Sequence, residues 1–144
     1  MQFVTNVLAA EEDEFLAVGE SECPLDQWSG IDAPGLDSVK LAFLHALLTG
    51  DTLQSALDLY EPVYVSERET VVLRVADRVA EKLALLDEES LELVAHELAA
   101  TDEFEKGNWQ EDDVLGLLNA LAELAQLAES QGQVLLVWIF LVQE

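Results

Sequence analysis

Positively charged residues are scarce in this 144-residue chain. Lysine and arginine number 6 against 30 aspartates and glutamates, which gives a formal net charge of -24. Affinity for nucleic acids comes largely from Lys and Arg that neutralise phosphates, so this charge argues against a nucleic-acid partner. The same field repels anionic lipid headgroups and attracts basic protein surfaces. The charge therefore predicts a basic protein as partner.

Cysteine, an N-terminal signal and long hydrophobic runs are scarce or missing as well. Cys23 is the single cysteine, so no disulfide forms within the chain and nothing indicates an oxidising compartment. The N-terminus lacks the basic start of a signal peptide. The longest apolar run, at 134–142, is about half as long as a membrane-spanning helix requires. We expect a cytoplasmic protein that does not bind membranes.

Motifs for metal binding and catalysis are missing too. The sequence HELAA, which starts at His96, resembles a zinc-protease helix, but Ala100 stands where the second histidine is needed. The chain has no EF-hand pattern, G-x-S-x-G motif or phosphate-binding loop. Carboxylates are so abundant that no catalytic pair stands out. The sequence therefore predicts no metal, no cofactor and no enzymatic activity.

Half of the residues are hydrophobic (51%), which is typical of a folded domain, and no linker or repeat divides residues 1–144. Periodicity and turn residues predict these elements in order: a strand at 2–8, a helix at 11–19 stopped by Gly19, a loop at 20–36, a helix at 38–49 between Asp37 and Gly50, a helix at 53–60 capped by Asp51 or Thr52, a strand at 63–65, a strand at 70–75 that runs into a helix near Ala76, a helix at 87–100, a loop at 101–109, a helix at 111–129 and a strand at 133–142.

The last strand is apolar at nearly every position, which is typical of a strand covered on both faces. We predict a single compact α+β domain. A mixed sheet, with the C-terminal strand buried in its middle, is packed by several amphipathic helices.

Three segments carry a family resemblance: LHALLTG at 44–50, NWQEDD at 108–113 before a Leu/Ala-rich helix, and ESQGQ at 129–133 before the closing strand. Together they resemble the YfbM-like family of uncharacterised bacterial proteins. In that family a Trp-His pair usually precedes the first segment, where Leu41 and Ala42 stand here, which weakens any transfer of a pocket function to His45. Some small acidic bacterial proteins of this kind are immunity proteins that block a toxin, and the resemblance is compatible with that role.

His45 lies at the edge of a leucine stripe on its helix and has two interpretations. In the first, the ring lies on the core and turns a nitrogen towards a carboxylate or a carbonyl. In the second, it belongs to a pocket with Trp28 and the 20–36 loop, which would suit a small-molecule-binding domain or an unrecognised hydrolase. We favour the packing interpretation.

A basic pattern also has two interpretations. Arg74, Arg78 and Lys82 recur every four residues and, with Arg68, make up most of the positive charge. If the helix reached back to Arg74, they would form one stripe that could bind an anion or a partner. Alternatively they pair with carboxylates of the protein itself, such as those at 87–97. The excess of acids favours the second interpretation.

The function that best fits these patterns is that of a non-enzymatic acidic interaction protein, for example an immunity protein that binds a basic toxin. Its surface would combine 87–113 with the acidic segment 11–14, and tryptophans would anchor the contact. Adaptation to a high-salt cytoplasm is a further explanation of the charge. The predicted partner-binding residues are Trp28, Asp102, Glu103, Trp109, Glu111, Asp112 and Asp113.

Overall fold

The computed structural model describes residues 2–66 and 70–142. In these ranges the strands and α-helices, in chain order, are β1 (Gln2–Ala10), α1 (Phe15–Glu20), β2 (Ser29–Asp32), α2 (Ser38–Thr49), α3 (Leu53–Leu59), β3 (Tyr64–Val65), β4 (Thr70–Arg74), α4 (Asp77–Leu85), α5 (Glu88–Ala99), α6 (Asp102–Lys106), α7 (Glu111–Gln131) and β5 (Val134–Val142). The predicted α+β class is confirmed. No helix of the described part is long and apolar enough to cross a membrane.

The strands form one sheet in the order β2-β1-β5-β4-β3. The C-terminal strand β5 occupies the centre, as predicted. Every strand pair in the described ranges is antiparallel, so the expectation of a mixed sheet is wrong on this point. An apolar run shows that both faces of a strand are covered, but it carries no information about the direction of the neighbouring strands.

Helices cover the two faces of the sheet unequally. On one face, α2, α4, α5 and α7 enclose the main core together with Val7, Leu73 and Val137. On the other face, α1 covers a smaller cluster around Leu8 and Leu136. We call these the main face and the α1 face of the sheet.

Local capping chemistry fixes the helices that the sequence predicted best. The Asp37 carboxylate accepts a hydrogen bond from the Lys40 backbone N–H at 2.9 Å, and Gly50 ends α2 with a φ of 81°. This left-handed conformation suits glycine because it has no Cβ. Thr52, one of the two predicted caps, begins α3. The predicted bounds of α2 are confirmed, and α7 continues past residue 129 to Gln131.

Two predicted loops contain regular structure. Residues 20–36 include a 3₁₀ turn at Pro24–Asp26 and the strand β2, and residues 101–109 include the short helix α6. Gly19 does not stop α1, which continues through Glu20. Gly19 instead lies against the Tyr64 ring, where a Cβ atom would collide with it. Close packing explains this glycine better than helix termination does.

Candidate protein-binding groove

An open groove of about 610 Å³ lies between the edge of the sheet and α7. We call it the Trp109 groove. One wall is formed by the end of β2 and the residues that follow it, and the other by the turn before α7 and its first three turns. Its lining consists of residues 31–35, residues 107–109, Asp113, Gly116, Leu117 and Ala120.

Trp109 is held rigidly at this groove. Its indole packs edge-to-face on Phe104, with ring centroids 5.3 Å apart. A Cβ atom at Gly107 would lie 2.8 Å from the indole Cδ1, and one at Gly35 would lie 3.2 Å from Cζ2. The ring is therefore packed between two glycines, and Gly35 also has a φ of 85°, which favours glycine. Its Nε1 has no hydrogen-bond partner among the described residues.

The other predicted partner-binding residues of this region lie on α6 and the first turn of α7. Asp102 and Asp112 are exposed and form no ion pair with any described residue. Asp113 accepts a hydrogen bond from the Gln110 backbone N–H at 3.1 Å and so caps α7. These helices flank the Trp109 turn in sequence, and of these three aspartates Asp113 is the one that lines the groove.

Two further carboxylates of this set have partners within the protein. The Glu111 carboxylate lies 2.7 Å from His96 Nδ1 on α5, and Lys40 Nζ lies 3.5 Å from a Glu103 oxygen. The first contact is exposed, whereas the second links α2 to α6. Glu103 is therefore less available to a partner than Asp102 or Asp112.

Trp28 lies away from Trp109, on the α1 face of the sheet. It packs beside the smaller cluster, and its Nε1 donates to a Glu14 oxygen at 3.1 Å. Glu12 of the same acidic segment pairs with Arg74. The structure thus divides the acidic surface that the sequence analysis combined, with 87–113 on the main face and 11–14 on the other.

His45 is buried in a hydrogen-bonded chain of side chains. Its exposed fraction is 1%, Nε2 lies 2.7 Å from an Asp51 oxygen, and Nδ1 lies 3.1 Å from the Tyr60 hydroxyl. A carboxylate only accepts hydrogen bonds, so Nε2 carries the proton and the Tyr60 O–H donates to Nδ1 in the neutral ring. The packing interpretation of His45 is confirmed, with the Asp51 carboxylate as partner.

The pKa values of Tyr60 and Asp51 favour a structural role for these hydrogen-bonded side chains over a chemical one. Burial raises the pKa of Tyr60 to about 12, so its hydroxyl remains protonated at neutral pH. A nucleophilic or basic tyrosine needs a shift in the opposite direction. The hydrogen bond from His45 lowers the pKa of Asp51, which keeps this carboxylate charged as an acceptor. Tyr60 also lines a second cavity of about 250 Å³, but His45 lines neither cavity.

The basic stripe that the sequence suggested does not form. Helix α4 begins at Asp77, so Arg74 belongs to β4, as the strand-into-helix prediction implied. Arg74 pairs with Glu12 and Asp77, and Arg78 pairs with Asp51 at 3.2 Å. Pairing within the protein is confirmed for these two arginines, although their partners lie outside 87–97.

The remaining two cations of that pattern differ. Lys82 is exposed and has no ion pair within the described ranges, and Arg68 lies outside them.

A hydrogen bond with Asp26 raises the pKa of the exposed Cys23 thiol, which makes the reactive thiolate less abundant. Residues 2–66 and 70–142 contain no group of three or more side chains suited to hold a metal ion.

Comparison of the chain with protein-family models, with curated proteins and with solved structures finds no match. A function therefore has to be inferred from the groove itself. Sequence reasoning identified Trp109 but missed the residues that shape its surroundings, Asp32, Gly35, Gly107 and Gly116. The glycines beside Trp109 and within α7 were the available signals, because glycine inside a helix costs stability and is common where another group closely approaches the backbone.

Proposed function

We propose that the chain is a non-enzymatic interaction protein that binds a basic protein at the Trp109 groove and the acids beside it. The observation that carries this proposal is a half-buried tryptophan, packed against Phe104 and two glycines, in an open groove whose lining includes the exposed Asp32 and Asp113. Protein interfaces are commonly anchored by a few aromatic side chains in pockets, surrounded by a polar rim. Trp109 would supply such an anchor, and Asp113 with the exposed Asp102 and Asp112 of the flanking helices would supply the rim.

The charge of the chain supports the same partner chemistry. Arg74, Arg78 and Lys40 pair with carboxylates of the protein itself, and the net charge of -24 remains after these cations are counted. A field from a net charge of -24 speeds the encounter with a basic surface and repels acidic ones. We infer that complementary charge selects the partner and that Trp109 holds it.

An immunity protein that occludes a basic toxin is the form of this function that we favour. Capture of a toxin requires fast association, which charge steering provides. The likeness to the YfbM-like family, the cytoplasmic location and the toxin itself stay predictions. A toxin encoded beside this gene would be the first partner to test.

Two variants with the same change in charge test where the partner binds. Asp102→Asn with Asp112→Asn removes two exposed carboxylates on the helices that precede and follow the Trp109 turn, whereas Asp13→Asn with Glu20→Gln removes two exposed carboxylates on or next to α1. The immobilised wild-type chain is first used to capture basic proteins from the source cell at low and high salt. The affinity of a captured, purified partner is then measured against both variants.

We expect the first variant to bind the partner several-fold more weakly and the second to bind much as the wild type does. Trp109→Ala should weaken binding further, mainly through faster dissociation. Equal loss in both charge variants would mean that overall charge, and not this surface, governs binding. Recovery of no basic protein at either salt concentration would refute the proposed function.

A further inference from the structure

The edge strand β2 presents unpaired backbone groups beside the Trp109 groove. Ala33 N donates to the Thr5 carbonyl at 2.9 Å, which makes these two residues a hydrogen-bonded pair of the β1–β2 ladder. Pairs of this kind alternate along an antiparallel ladder, so Ile31 also directs its N–H and C=O towards β1. The N–H and C=O groups of Gly30 and Asp32 therefore point away from β1. The sheet order places no strand of the described ranges on that side.

The helical wall of the groove is open where it faces this edge. A Cβ atom at Gly116 would meet nothing within 4 Å, and Ala120 lies one turn further along the same wall. Glycine within a helix costs stability relative to alanine, and neither packing nor a positive φ requires it here. The small side chains leave a channel between α7 and the edge strand, with Trp109 at one end of the helical wall.

We propose that this channel binds an extended basic segment of the partner protein, which adds to the sheet as a further strand beside β2. The proposal rests on the proposed function and specifies how the partner binds. Backbone groups of the segment would pair with Gly30 and Asp32, forming about four main-chain hydrogen bonds. Alternate side chains would enter the groove over Gly116 and Ala120.

Charge complementarity determines which segment fits. The exposed Asp32 and Asp113 line the groove with Trp109, and the face of an indole attracts Arg and Lys. A cationic side chain placed there contacts the ring and lies near the Asp113 carboxylate. A second copy of this chain is a poor occupant, since each copy carries a net charge of -24.

Gly116 offers a sharp test because its substitution changes the channel without touching the core. Gly116→Phe places a large ring in the open space, and Gly116→Ala adds one methyl group at the same position. Both residues exceed glycine in helix propensity, so both variants should fold. The probe is an acetylated, amidated heptapeptide of alternating valine and arginine. A matched probe carries glutamate in place of arginine.

Peptide affinity and the backbone amides of Gly30 and Asp32 are measured by NMR titration and hydrogen exchange. We expect the arginine peptide to slow exchange of these two amides and to shift the Trp109 indole signal. Gly116→Phe should bind it about tenfold or more weakly, as expected when an anchor pocket is filled, whereas Gly116→Ala should bind it as the wild type does. The glutamate peptide should not bind.

Unchanged affinity of Gly116→Phe, or unchanged amide exchange in the saturated complex, would overturn strand addition. If a basic protein is captured and depends on Asp102 and Asp112 while Gly116→Phe still binds it, the proposed function stands and this inference alone fails. If no basic protein is captured, the proposed function fails first. Equal binding of arginine peptides unable to donate backbone hydrogen bonds would also contradict pairing at β2.

Discussion

The buried contact between His45 and Tyr60 allows a quantitative test of the structural role assigned to this histidine. Tyr60→Phe removes one oxygen and keeps the edge-to-face contact of the rings, whose centroids lie 5.6 Å apart. His45 Nδ1 then has no partner, and the ring is only 1% exposed. Leaving a buried polar group unpaired costs about 1–3 kcal/mol, so the free energy of unfolding should fall by that amount.

The reciprocal change and the double variant isolate the interaction. His45→Leu leaves the Tyr60 O–H without its acceptor at 5% exposure, although the hydroxyl keeps its hydrogen bond with the Ala76 backbone. The double variant places two apolar groups side by side. Tyr60→Phe loses the hydrogen bond with the Ala76 backbone in both backgrounds. In the His45→Leu background it leaves no unpaired imidazole nitrogen, so it should cost less there than in the wild type. We expect the two single effects to exceed the double effect by about 1–2 kcal/mol.

Urea unfolding followed by far-UV circular dichroism measures all four proteins, provided that their m-values agree. If the stability effects of the two single variants simply add, or if Tyr60→Phe is as stable as the wild type, the hydrogen bond between His45 and Tyr60 is refuted. Partner binding gives a second criterion. His45→Gln should leave binding nearly intact, and loss of binding without loss of thermal stability would show that His45 has a functional role that its burial does not predict.

Three further predictions concern single residues. Gly116→Ala should stabilise the chain by about 1 kcal/mol in urea unfolding, because glycine is the poorer helix former and the added methyl group meets open space; destabilisation would show that the channel is not open. The pKa of Asp51 is lowered from its ordinary value of 3.8. The stability that its charged carboxylate gives to the fold is therefore fully present above pH 3.8 and is lost as the pH falls through the lower folded pKa. The difference in free energy of unfolding between wild type and Asp51→Asn should therefore shrink in acid. A constant difference from neutral to acidic pH would contradict the lowered pKa of Asp51. The pKa of Tyr60 is raised from 10 to about 12. The stability that its protonated hydroxyl gives to the fold is therefore present below pH 10 and is lost as the pH rises through 12. The free energy of unfolding of Tyr60→Phe should fall less over this range than that of the wild type.

Elements whose signals lie within the element were predictable from the sequence. Helix α2 has its cap at Asp37 and its stop at Gly50, both visible as residue types at the right spacing. The central position of β5 followed from its apolar composition. The short strand β2 was not predictable, because its SGID sequence has little strand character and its conformation depends on pairing with β1.

The sequence allowed a prediction of the groove wall that carries Trp109 but not of the opposite wall. Trp109 and the acids after it are local in sequence, and the prediction that they form part of a partner surface stays a prediction. The opposite wall comes from residues 31–35, which reach Trp109 only because β2 pairs at the sheet edge and α7 packs against β1, β2 and β5. Neither contact has a signature in the sequence, so Trp28 was as good a candidate for the anchor as Trp109.

Three of the six cations of this chain join segments that are distant in sequence. Arg74 pairs with Glu12, Arg78 with Asp51, and Lys40 with Glu103, so each connects elements that the chain brings together only on folding. Such ion pairs hold packed elements together, while the exposed carboxylates of Asp102 on α6 and Asp112 on α7 form no ion pair with any described residue. A basic partner that covers these acids would remove repulsion that the internal cations leave in place, and so would stabilise the fold as it binds.

Salt screens the same repulsion between the acids but also weakens the attraction of the partner. Fold stability and partner affinity are therefore expected to respond to ionic strength in opposite directions, which a protein merely adapted to a high-salt cytoplasm has no reason to show.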